Sequence, residues 1–68
     1  MLTDIQFKIY MMIVMQAMDG RTIAEELHCS RSFVSRHTRK IFDIMGVGNR
    51  LELLTQYWHR ELHPQEQP

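Results

Sequence analysis

The hydrophobic and polar positions between Arg21 and Ser30 predict a short helix followed by a tight turn. Ile23, Ala24 and Leu27 have the spacing of one helical face, and the small Ala24 allows a second helix to cross closely. The turn falls at His28–Cys29, where this pattern is interrupted. The segment therefore reads as the first half of a helix-turn-helix.

A second helix is expected to begin near Arg31. Ser30 suits the N-cap position, because its hydroxyl can accept a hydrogen bond from an unpaired backbone amide of the first turn. Behind it, inward-facing residues recur at helical spacing, namely Val34, Thr38, Ile41 and Met45. Gly46 then provides a C-terminal stop, and Gly48 belongs to a connector.

The helix before this motif contains seven consecutive apolar residues, Ile9 to Met15. Such a run covers about two turns, so it directs apolar side chains in every direction. Two interpretations remain open. The segment is either a core helix with a few exposed methionines, or Met11, Met12 or Met15 belongs to a docking surface, since methionine adapts to irregular partner surfaces.

A fourth helix is expected after Asn49, which suits an N-cap. Its apolar residues form two neighbouring stripes, one with Leu51, Leu54 and Trp58 and the other with Leu53 and Tyr57. Either one stripe closes the core and the other meets a partner, or both belong to one broad core face. The candidate dimer or partner interface therefore comprises Met11, Met12, Leu54, Tyr57 and Trp58.

These elements predict an all-α domain of four helices over residues 1–62, followed by a disordered tail at 63–68 that contains two prolines. A domain of 68 residues buries only about 60% of its unfolded surface, so self-association is a natural source of stability. The single Cys29 excludes an intrachain disulfide and fits a reducing cytoplasm. No secretory signal is visible, and the apolar run is far shorter than a membrane span.

The outward face of the second motif helix carries the most specific chemistry. A helix rotates by about 100° per residue, so when Val34 faces inward the opposite face presents arginines interleaved with serines. From His28 to Phe42 there are four basic residues and no acidic one. Arginine and short hydroxyl side chains are suited to phosphate and base-edge contacts. The exposed set predicted from spacing is Ser32, Ser35, Arg36, Arg39, Lys40 and Asp43.

Several segments together resemble the LuxR/GerE-type DNA-binding domain of bacterial transcriptional regulators. They are Leu2–Thr3, Ile23–Leu27, the series Ser30, Val34 and His37, and Gly46–Leu53. The resemblance covers roughly residues 2 to 60 and implies a four-helix helix-turn-helix fold. It also implies binding of double-stranded DNA in the major groove through the third helix, as a homodimer.

By this resemblance the base-facing positions are Ser35, Arg36 and Arg39, while Arg21 and Arg31 lie near backbone-contacting positions. The expected DNA-binding set is Arg21, Arg31, Ser32, Ser35, Arg36, Arg39 and Lys40. Two positions depart from the family pattern. Gln6 stands where the family usually has an acidic residue, and Phe33 replaces a small polar residue that often touches a phosphate.

The formal net charge of zero argues against simple DNA binding, because duplex binders usually carry a basic excess. Dimerisation on a palindrome would supply the missing affinity. The alternative function is a protein-interaction module that docks onto another regulator and modulates it. Near-neutral charge, Phe33 and the methionine run favour this alternative, whereas Arg36 and Arg39 favour DNA.

We expect neither catalysis nor a cofactor. There is no glycine-rich phosphate loop, and so small a domain leaves little room for a nucleophile, a base and a pocket. His59 and His63 are four residues apart, but no cysteine or carboxylate ligands are arranged around them, so we expect no metal site. A cytoplasmic, nucleoid-associated location without membrane contact follows from the DNA-binding interpretation.

Overall fold

A computed structural model of the chain describes residues 1–62 and shows, within that range, four α-helices and no strand. The helices are α1 (Asp4–Gln16), α2 (Gly20–Leu27), α3 (Arg31–Met45) and α4 (Arg50–Leu62). The predicted all-α class and the start of α3 at Arg31 are confirmed. The tail predicted at 63–68 lies outside the described residues.

Side-chain caps begin each helix. Thr3 and Gln6 form a reciprocal capping box at α1, and the Asp19 carboxylate accepts from the Thr22 amide at 2.8 Å at α2. The Ser30 hydroxyl accepts from the amide of residue 33 at 3.0 Å, and the Asn49 side-chain oxygen accepts from that of residue 52 at 2.9 Å. The caps predicted at Ser30 and Asn49 are thus confirmed.

Left-handed residues end the first three helices. Gly46 has a φ of 73° at the end of α3, as its predicted role as a stop requires. Ala17 and His28 adopt the same conformation at the ends of α1 and α2, with φ values of 53° and 55°. Because a side chain makes this conformation unfavourable, these two positions carry a conformational cost that Gly46 avoids.

Helix α3 is the centre of the domain and packs against each of the other three helices. Six side chains are fully or almost fully buried between them, namely Ile9, Ile13, Ile23, Val34, Ile41 and Leu53. Full burial of an aliphatic side chain of this size contributes about 1.5–3 kcal/mol. Ala24 is also buried, as expected for the residue at the close crossing of α2 and α3.

The two stripes of α4 have different environments. Leu53 is fully buried, and Tyr57 packs edge-on against Tyr10 of α1 with ring centroids 6.1 Å apart. Leu51 and Trp58 are 72% and 56% exposed. The stripe of Leu53 and Tyr57 therefore faces the core, and Tyr57 contacts α1.

The remaining stripe of α4 is left largely uncovered. We call Leu51, Leu54 and Trp58 the α4 stripe; its middle residue, Leu54, is half-buried against the core. On α1, Met11 and Met12 are likewise half-buried, whereas Met15 is 58% exposed. The methionines of this run thus differ in their environment, because Met11 and Met12 pack partly against the core and Met15 lies at the surface.

Candidate nucleic-acid interface

The connection between α2 and α3 consists of three residues that orient one helix across the other. His28 is left-handed, and the Cys29 amide donates to the carbonyl of Ala24 at 3.0 Å. Ser30 then caps α3. These three residues thus set the direction in which α3 leaves α2.

An open groove with a volume of about 950 Å³ runs beside α3. One wall is the first turn of α2, and the other is the connection from α3 to α4. Four arginines line it together with serine and threonine hydroxyls, so we call it the basic groove. Its arginines are Arg21, Arg31, Arg39 and Arg50.

The structure divides the seven predicted DNA-binding residues into two groups, although all seven are exposed. Five of them line the basic groove, namely Arg21, Arg31, Ser32, Ser35 and Arg39. Arg36 and Lys40 lie on the exposed surface of α3 outside the groove. A ligand that fills the groove and extends across α3 would be needed to contact both groups.

Arg50 is a groove residue that the sequence reasoning did not assign to the site. Its guanidinium donates a hydrogen bond to the main-chain carbonyl of Met18, which lies 32 positions earlier. This bond connects the start of α4 to the loop between α1 and α2, which leads directly into the wall formed by the first turn of α2. Asn49–Arg50 belongs to the segment Gly46–Leu53 that resembles the family. No local sequence pattern predicts a contact between residues 32 positions apart.

The basic side chains of the site are mostly available for a ligand. Arg21 is 3.6 Å from the carboxylate of Glu25, but both side chains are exposed, so this ion pair contributes little. Within residues 1–62, no carboxylate lies within 4.0 Å of the four predicted cations on α3, Arg31, Arg36, Arg39 and Lys40. Four positive charges on α3 therefore lack an ion-pair partner among the described residues.

The carboxylates of Asp19 and Asp43 also line the groove and offset part of its positive charge. Asp19 is committed to the α2 cap. The backbone hydrogen bond from Thr22 is the main cause that lowers the pKa of Asp19, and Arg50 and Arg21 lower it further. Asp43 is exposed on α3. The four arginines still give the groove an excess of positive charge.

Phe33 has a structural role. It is half-buried, and its ring lies against His37 with centroids 4.4 Å apart. Because Phe33 offers no polar side-chain atom, a phosphate contact at this position is limited to the backbone, whose amide already donates to Ser30. At this position the chain therefore has an aromatic ring that packs against His37 and no polar side-chain atom.

A second, apolar groove lies along α1. Its volume is about 990 Å³, and it extends from the start of the chain to the end of α2. The apolar side chains that line it, which define what we call the apolar groove, are Met1, Leu2, Phe7, Met11, Met12 and Leu27. Met11 and Met12 thus contribute to an accessible surface, as one of the two interpretations of the methionine run required.

Comparison with protein-family models, curated proteins and solved structures gives no match for this chain. None of the helices in residues 1–62 is long and apolar enough to cross a membrane. In the same range, no three histidine, cysteine or acidic side chains are grouped so that they could hold a metal ion. Of the two histidines weighed as metal ligands, His63 lies outside the described residues.

Proposed function

We propose that this chain is a LuxR/GerE-like helix-turn-helix domain that binds double-stranded DNA and regulates transcription. The observation that supports this most directly is the exposed, basic outer face of α3, which adjoins a groove lined by four arginines. A three-residue turn connects α2 to α3, and the two helices pack against each other. The arrangement suits a helix that enters the major groove while its surroundings contact phosphates.

The dimensions and side chains of α3 fit this role. A helix with its side chains is about 10–12 Å across, and the major groove of B-form DNA is about 12 Å wide. Arg36 and Arg39 can each offer a two-pronged donor to the N7 and O6 acceptors of guanine. Arg21, Arg31 and Arg50 line the groove at the edges of α3, where phosphates of the two strands would lie.

In this proposal the protein binds DNA as a homodimer. With no net charge, one domain gains little non-specific affinity for DNA, so two linked half-sites are needed. The α4 stripe supplies an apolar surface for pairing, because Leu51 and Trp58 are exposed and lie about two turns apart on the same face of the helix. Two recognition helices about 34 Å apart would then read a palindromic site.

Arg39 provides the sharpest test, because it lies on α3 and also lines the basic groove. A binding site is first selected from a pool of random duplexes. Replacing Arg39 with Ala should then cost about 1–3 kcal/mol of binding free energy on the selected site, measured by fluorescence anisotropy. Lys8→Ala removes an exposed cation on α1 outside this groove and serves as the matched control.

Two results would contradict the DNA-binding proposal. One is the failure to select any duplex above background. The other is equal loss of affinity in the Arg39 and Lys8 variants, which would show that α3 has no special place in binding. A low dependence of affinity on salt would also count against it, since phosphate contacts release counterions.

The second candidate function is a protein-interaction module, and the apolar groove is the observation that favours it. Phe7 at this groove is 55% exposed, and flexible methionines line the same surface. Such a module would dock onto another regulator through apolar contacts, whose strength responds little to salt. Phe7→Asp would abolish that docking, whereas Arg39→Ala would leave it unchanged.

A further inference from the structure

A partly buried polar network connects the start of α1 to the middle of α3. Gln6 is only 5% exposed, and its side-chain oxygen Oε1 accepts a hydrogen bond from the Thr3 amide at 3.1 Å. The nitrogen Nε2 of the same side chain lies 3.3 Å from Nδ1 of His37. Gln6 therefore caps its own helix and contacts α3 at the same time.

The orientation of the Gln6 amide determines which proton His37 must lack. Because Oε1 is engaged by Thr3, the group that faces His37 is the amide NH₂, which can only donate. Nδ1 of His37 must then accept, so the proton of the neutral ring resides on Nε2. A protonated imidazole donates from both nitrogens and has no acceptor to offer Gln6.

Rotation of the Gln6 amide cannot rescue the network. If Oε1 turned towards a protonated His37, the NH₂ group would face the Thr3 amide, and two donors would meet at the cap. One hydrogen bond is lost in either orientation. A buried polar group without its partner is costly, so protonation must weaken either the α1 cap or the contact between the helices.

We infer that Gln6 and His37 form a proton-sensitive connection between α1 and α3, intact with neutral His37 and broken when His37 is protonated. The same ring contacts Phe33 in the first turn of α3, so the disturbance reaches the start of the helix that we propose reads DNA. The connection itself follows from hydrogen-bond geometry and does not depend on the proposed function.

No ion pair among residues 1–62 involves His37. Within residues 1–62, His37 forms its hydrogen bond with Gln6 and no ion pair. Ionisable residues on the surrounding helices make no such contact with it; they include Asp4, Lys8 and Tyr10 on α1, Glu25 and Glu26 on α2, Arg36 and Lys40 on α3, and Arg60 and Glu61 on α4. The Gln6–His37 connection should therefore stabilise the fold at neutral pH, and this stabilisation should be lost as His37 gains a proton.

Thermal unfolding of the full chain tests the inference. Between about pH 7.5 and about pH 5.5, where histidine side chains usually become protonated, the wild-type Tm should fall by about 4–8 °C from the loss of one hydrogen bond. Other histidines also titrate here, so the informative quantity is the difference from Gln6 variants, which change no titratable histidine.

Gln6→Glu is the decisive variant, because a carboxylate can accept both from Thr3 and from a protonated His37. Acidification over the same interval should then raise the Tm of Gln6→Glu relative to wild type. The His37 nitrogen shifts in NMR spectra should show Nδ1 unprotonated at neutral pH in the wild-type protein. Parallel pH dependence in the wild type and Gln6→Glu, or a proton on Nδ1 at neutral pH, would overturn the inference.

Discussion

At the scale of single residues, left-handed backbone positions decide where the helices end. Gly46 ends α3 with a positive φ, and its amide donates to the Asp43 carbonyl at 3.3 Å. Ala17 and His28 take the equivalent positions at α1 and α2 despite their side chains. The direction of the α3–α4 connection, and with it one wall of the basic groove, therefore depends on a residue without a Cβ.

Gly46→Ala should destabilise the domain by about 1 kcal/mol, because alanine must adopt a strained left-handed conformation there. The space around it is open, with no atom within 4 Å of an added Cβ, so the cost is conformational and not steric. Urea unfolding measures the effect. Gly20→Ala is the matched control, since Gly20 lies inside α2 in equally open space. It should be neutral or stabilising, and a similar loss at both positions would contradict the argument.

At the scale of elements, α2 is the helix that depends most on its cap. With eight residues it is too short to be stable alone, so its form depends on packing through Ile23 and Ala24 and on the Asp19 cap. The capping hydrogen bond lowers the pKa of the Asp19 carboxyl. A lowered pKa in the folded state means that the ionised carboxylate stabilises the fold.

The stability that Asp19 contributes should be present above about pH 4, the ordinary range of an aspartate, and be lost as pH falls further. Urea midpoints measured from about pH 5 downwards should therefore decrease more steeply for wild type than for Asp19→Asn, which keeps a capping oxygen without a titratable group. Equal slopes would show that the Asp19 charge contributes nothing to the fold. This acid range is separate from that of the Gln6–His37 connection.

At the scale of the whole molecule, two apolar surfaces remain uncovered by any part of residues 1–62, the α4 stripe and the apolar groove. Trp58 is 56% exposed in the first, and Phe7 is 55% exposed in the second. A domain this small gains from covering such surfaces, and each of the two proposed functions assigns a different one to a partner. The two surfaces can be separated by substitutions, because they lie on different helices.

Trp58→Asp should convert a homodimer into a folded monomer, as measured by sedimentation equilibrium, and should remove most of the affinity for a palindromic site. Phe7→Asp should leave the dimer intact, and circular dichroism checks that both variants fold. Dissociation by Phe7→Asp alone would assign self-association to the apolar groove. A wild-type chain that stays monomeric at high concentration, with and without DNA, would contradict the homodimer in both forms.

The sequence by itself determined the features that depend on near neighbours. Four such features are the caps at Ser30 and Asn49, the start of α3 and the stop at Gly46. Each depends on residues within about four positions, because the backbone hydrogen bonds of a helix span that distance. The inward set of α3 follows from the same period. The exposure of Ser32, Ser35, Arg36, Arg39 and Lys40 could be expected on this basis as well.

Only the tertiary structure decided the features that join distant segments. The two stripes of α4 are equivalent in sequence until the core buries Leu53, Tyr10 of α1 packs against Tyr57, and Leu51 and Trp58 are left exposed. The contact of Arg50 with the Met18 carbonyl and that of Gln6 with His37 join residues 32 and 31 positions apart. Such contacts depend on how whole helices cross. The packing of the common core determines these crossings, and local periodicity does not.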